Sequence, residues 1–98
     1  MKANIITKGI FDGLDDLNRS QLPPGTAQWS RHEDGSVQGI LFVCPCGCRQ
    51  LRTVPVLPQP NGWTWDGNEQ QPTLTPSIRV VGECGWHGFL TAGEWRTC

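Results

Sequence analysis

The sequence contains no tyrosine, one methionine and only two histidines. Two imidazoles cannot furnish the several histidine or carboxylate ligands of a copper or iron oxygenase. Neither the His-Glu-x-x-His pattern of zinc proteases nor the His-x-Glu with Pro-Cys-x-x-Cys pattern of zinc deaminases occurs. Long apolar runs are also missing. The longest, Gly39 to Val43, has the length of a strand, far short of the ~20 residues that span a bilayer as a helix. Charge of one sign is absent too: eight basic and nine acidic residues leave a net −1, scattered singly, with no basic cluster beyond Arg49 and Arg52. Counterion release onto nucleic acid or an anionic membrane needs a basic patch, so the linear charge pattern supports neither partner. Met1 to Lys8 lacks the apolar segment of a secretory signal, which predicts a cytoplasmic location.

What is present is concentrated. Ninety-eight residues suit a single domain, residues 1–98. Small domains bury a modest share of their surface and often add a metal or disulfides. Five Trp and three Phe carry much of the apolar content, and each indole buries a large area. Five Cys is an odd number, and in a reducing compartment clustered thiols read as metal or redox chemistry rather than as a disulfide framework.

The local patterns predict a mostly β fold of short antiparallel strands, with one short helix around Phe11 to Leu22 ended by Pro23-Pro24-Gly25. Residues 1–35 form an N-terminal segment of little pattern and residues 36–98 the β-rich core. Strands are expected at Thr26 to Arg31, Val37 to Val43, Gln50 to Val56, Trp63 to Trp65 and Thr73 to Val81, with a final hairpin over Gly88 to Trp95. Asp34-Gly35 supplies the chemistry of a tight turn.

The chemistry concentrates in two strings. Cys44-Pro-Cys-Gly-Cys48 offers three thiols within five residues, with a fixed φ after the first and a glycine after the second. Cys84-Gly-Trp-His87 adds a Cys-x-x-His pair. Zn²⁺ takes four tetrahedral ligands from thiolate and imidazole, so Cys44, Cys46, Cys48, Cys84 and His87 are five candidates for four places around one structural ion. Cys84, His87 and two of the three clustered thiols would make a Cys₃His site, and the spacing leaves open which thiol is spare. Cys98 is set aside as terminal, and His32 beside its turn reads as a surface residue. A catalytic zinc would keep a position open for water and need a general base, for which Glu83 and Asp66 are the candidates. Trp63-Thr-Trp65 and Pro72-Thr-Leu-Thr-Pro-Ser-Ile78 read either as a recognition surface or, more simply, as indoles that fill the core beside a segment rigidified by Pro72 and Pro76.

The order of these strings, Cys44 to Cys48, Trp63 to Gly67, Pro72 to Ile78 and Cys84 to Gly93, resembles a family of small bacteriophage and prophage proteins, with related zinc-binding modules in bacterial ubiquitin-like conjugation systems. The resemblance covers the C-terminal half and implies a zinc-binding fold. Some members carry an ammonia monooxygenase label, which the scarcity of histidine does not support. The leading expectation is a non-enzymatic, zinc-stabilised module that binds a protein partner in the bacterial cytoplasm. The alternatives are a zinc hydrolase or an accessory of a conjugation pathway, and a nucleic-acid-binding zinc protein.

Overall fold

A computed structural model describes residues 1–6, 22–48, 50–79 and 84–97. The described elements are all strands: β1 (Asn4–Ile5), β2 (Thr26–Arg31), β3 (Val37–Val43), β4 (Leu51–Pro55), β5 (Thr64–Trp65), β6 (Leu74–Arg79), β7 (His87–Thr91) and β8 (Glu94–Thr97). The mostly β expectation therefore holds. The helix expected from Phe11 falls outside the described residues except for Leu22. No helix long and apolar enough to cross a membrane occurs among the described residues.

The strands form two sheets of four, in the orders β1-β2-β3-β4 and β5-β6-β7-β8. β1 runs parallel to β2, and every other pair is antiparallel. The β2–β3 hairpin forms where Asp34-Gly35 predicts it. Gly35 takes φ 91°, and Asp34 Oδ1 accepts hydrogen bonds from the Ser36 amide (2.9 Å) and hydroxyl (2.6 Å). In β3, Ile40 and Phe42 face inward and are fully buried while Leu41 between them is not, the period-2 alternation of a sheet with one covered face.

The inner faces share one core. Ile40, Phe42 and Val54 from the first sheet meet Leu74, Ile78, Leu90 and Trp95 from the second, with Trp86 beside them. At its centre the Phe42 and Trp95 rings lie 4.5 Å apart, and Trp86 meets Trp95 edge-on at 5.8 Å. A second aromatic pair, Trp29 and Trp65 at 4.6 Å, joins β2 to β5. All five indole N–H groups donate: Trp29 to the Glu69 carbonyl, Trp63 to Ser77 O, Trp65 to Asn68 O, Trp86 to Thr97 Oγ1 and Trp95 to Gly25 O. These partners let large amphipathic rings be buried without an orphaned donor. Trp86 is buried, and Trp63 and Trp65 are half-buried against the core, so the indoles serve chiefly as filling.

Phe42 is fully buried and touches both other core rings. Phe42→Ala is expected to destabilise the fold by about 3–5 kcal/mol, read as a lowered urea midpoint; a midpoint within error of the parent protein would show that this ring stack is not the centre of the core.

Candidate functional site: a thiol cluster beside a serine–histidine pair

Strand β3 ends at Val43 and delivers Cys44, buried, into a tight loop. The Cys44 carbonyl accepts the Gly47 amide at 3.2 Å, and Gly47 takes φ 92°, the left-handed conformation for which glycine suits this position. From the other sheet, the residues before β7 bring Cys84, followed by Gly85 at φ 57°. The sulfurs of Cys44, Cys46, Cys48 and Cys84 all lie within 4.8 Å of one another. Cys44 Sγ is 3.3 Å from Cys46 Sγ and 3.6 Å from Cys84 Sγ. A tetrahedral ion with metal–sulfur bonds of ~2.3 Å would have sulfurs ~3.8 Å apart, so the four thiols stand where such an ion needs them and can hold a metal.

The backbone is arranged for anionic sulfur. The Cys48 amide donates to Cys46 Sγ at 3.3 Å. The Cys46 amide does the same for Cys44, and the Trp86 amide for Cys84. Each donor lies two residues beyond its sulfur, the geometry of a tight turn. Arg52, from β4, places its guanidinium Nη2 at 3.4 Å from Cys84 Sγ. The Trp86 amide first, with Arg52 adding to it, holds the Cys84 thiol down at about 6. Burial pushes Cys44 up to about 12 and Cys46 upward. Without a cation the cluster cannot carry four thiolates, because like charges at this separation oppose further ionisation.

His87 lies outside the four-sulfur group. Its Nε2 is 2.9 Å from Ser77 Oγ. The cause is the strand pairing. His87 opens β7 and pairs with Arg79 of β6, while Ile78 pairs with Gly88 and Leu74 with Leu90. Four residues of β6 thus span two of β7, and the excess is a bulge holding Thr75, Pro76 and Ser77. Proline has no N–H to give a ladder, and a bulge re-aims the side chain it carries. Ser77 accordingly turns toward the imidazole, and its carbonyl accepts Trp63 Nε1–H at 3.3 Å. Both Ser77 and His87 are half-buried and open to solvent on one side. A Cβ on Gly88 would collide with the Arg96 carbonyl of β8 and meet the Trp86 ring at 2.6 Å, so the glycine admits both the neighbouring strand and the indole.

A family model described as bacterial ubiquitination-like system serine protease (BubE) matches residues 14–98. The chain belongs to the BubE family. That membership links it to bacterial ubiquitination-like systems, the setting of one alternative above. No curated protein and no solved structure matches the chain.

Of the two acids considered as general bases, Asp66 is engaged in its own loop, its Oδ1 accepting the amides of Asn68 (3.0 Å) and Thr73 (3.3 Å); Glu83 lies outside the described residues, as does Cys98. Sequence reasoning missed the Ser77–His87 pair. The available signal was Pro76-Ser77 interrupting an extended segment just upstream of a Cys-x-x-His whose thiol already had three partners in Cys44, Cys46 and Cys48.

Because the thiolate, not the thiol, binds a metal, loading the cluster must expel the protons that burial keeps on Cys44 and Cys46. Affinity for added Zn²⁺ is therefore expected to fall as pH is lowered, with protons released on binding. Competition against a chromophoric chelator at several pH values checks this, and a pH-independent affinity would exclude the thiols as ligands.

Proposed function

We propose that this chain is a serine hydrolase, a protease of a bacterial ubiquitination-like system, in which Ser77 is the nucleophile and His87 its general base. The observation that carries the reading is the 2.9 Å separation of Ser77 Oγ and His87 Nε2, within the reach that proton transfer requires, in a chain of a family described by serine proteolysis. With its own proton on Nδ1, the imidazole accepts the hydroxyl hydrogen at Nε2. Ser77 Oγ then attacks a carbonyl carbon of the substrate. As the resulting tetrahedral adduct collapses, the scissile bond breaks and the proton passes from His87 to the departing group, leaving the acyl carbon bonded to Ser77 Oγ. Water, activated by the same nitrogen, releases the acyl group and restores the serine.

Zinc is the metal that four clustered thiols suit best, and Cys44, Cys46, Cys48 and Cys84 are its proposed ligands in place of a set that includes His87. Four sulfurs complete a tetrahedron, so the ion would be structural. The chain's own contribution is positional: Cys84 lies three residues before His87, and fixing the thiol fixes the start of β7. The proposed partner is a protein substrate in place of a passive binding partner, and the free-thiol cluster favours action in the reducing bacterial cytoplasm.

Ser77→Ala and His87→Asn are each expected to lower cleavage of a fusion at the C-terminus of the system's ubiquitin-like protein by about 10³-fold or more, with metal content and thermal stability retained. Cys84→Ser should lose both metal and activity. Undiminished cleavage by Ser77→Ala would refute the nucleophile, and loss of metal in His87→Asn would return the imidazole to the ligand set.

A further inference from the structure

Arg79 stands beside the proposed catalytic pair without an ion-pair partner among the described residues. It is the Cα partner of His87 across the β6–β7 ladder, and residues so opposed project to one face with Cβ atoms about 4.5–5.5 Å apart. It also follows Ser77 by two residues, the repeat that returns to the same side of a strand. Arg79 lines a cleft of about 150 Å³ together with Arg52. Phe42, Val54, Trp63 and Ile78 supply apolar walls, and Thr53 completes the lining. Trp63 is the indole that donates to the Ser77 carbonyl, so the cleft adjoins the bulge that presents the nucleophile.

Both guanidinium groups have unspent donors. The ion pairs among the described residues are Arg31 with Glu69 and Arg96 with Glu94; neither involves Arg79 or Arg52. Arg52 gives Nη2 to Cys84 and its Nε–H is buried without a partner among the described residues, so Nη1 is the donor it can turn toward the cleft. A guanidinium grips planar oxyanions through its free N–H groups. Apolar walls lower the local dielectric and strengthen any charge interaction made there. The cleft is small, on the scale of a carboxylate on a short stem.

We infer that this cleft is the specificity subsite of the protease: Arg79 and Arg52 hold a carboxylate of the substrate while the neighbouring acyl carbon lies at Ser77. The inference rests on the Ser77–His87 reading for its purpose, but the carboxylate site is testable without catalysis. The carboxylate has two sources, the α-carboxylate at the end of a chain and an acidic side chain beside the scissile bond.

The test uses full-length Ser77→Ala protein and NMR titration with acetyl-trialanine as free acid and as amide, and with acetyl-Ala-Glu-Ala amide against its Gln counterpart. The free acid or the Glu peptide, whichever source is real, should bind about ten- to a hundredfold more tightly than its neutral counterpart, the scale of a charge-assisted hydrogen bond. Arg79→Gln should erase the difference while metal content stays intact. Equal binding of acid and neutral forms, no binding of either acid peptide, or an Arg79→Gln variant that keeps the preference would each overturn the subsite. If Ser77→Ala proved still active in cleavage, the catalytic reading would fall and the titration would decide the carboxylate site on its own.

Discussion

The approach of Cys44 Sγ and Cys84 Sγ to 3.6 Å joins two sheets that share no ladder. Cys44 is the first residue beyond β3, and Cys84 sits three before the start of β7 proper. Two residues before Cys44 comes Phe42, two after Cys84 comes Trp86, and their rings meet edge-on at 6.5 Å. The thiol cluster and the aromatic core are thus two ends of one junction. Forty residues separate the two cysteines, so their contact closes a long loop, and the entropic cost of that closure is offset by core burial and by whatever cation the sulfurs take up. Arg52 and the amides two residues beyond Cys44, Cys46 and Cys84 prepare the site for negative charge before any metal arrives.

The serine–histidine pair depends on a departure from regularity in the second sheet. A strand in perfect register against β7 would have no residues to spare between Leu74 and Ile78. The bulge supplies them, and Pro76 within it has no N–H to draw Ser77 back into the ladder. The flanking residues Leu74 and Ile78 remain buried, so the irregular piece is held at both ends by the core. Local disorder of hydrogen bonding is here confined to one spot, and the hydroxyl it frees is the one nearest the imidazole.

Much of this was legible in the sequence. Val37–Val43 is a strand rich in β-branched and aromatic residues, Thr26–Arg31 is its shorter neighbour around Trp29, and Asp34-Gly35 dictates the turn between them. The convergence of Cys44 to Cys48 with Cys84 followed from spacing and thiol chemistry. Long-range geometry is what the local patterns do not carry. His87 has a good chelating spacing from Cys84, yet its Nε2 lies 2.9 Å from Ser77 Oγ, a placement held in the pairing of β6 with β7. The Ser77–His87 contact was hidden for the same reason, since a bulge changes which residues oppose one another. Trp63 and Trp65 read equally as surface or core by composition; only the position of Trp29 opposite β5 and the carbonyls that take their N–H groups decide it.

Trp86 gives the arrangement a mechanical character. It sits between Cys84 and His87, its ring clamped by Phe42 and Trp95, its N–H tied to Thr97, and its edge seated over Gly88. The segment from sulfur to imidazole is then a short strut with a pinned midpoint, and a displacement at the cluster has no slack in which to be absorbed. Loosening the sulfurs would tilt the ring nitrogen away from Ser77 without any change at the serine itself, so the stiffness of a hydrophobic contact, and not the chemistry of either end, sets how faithfully the two sites stay aligned.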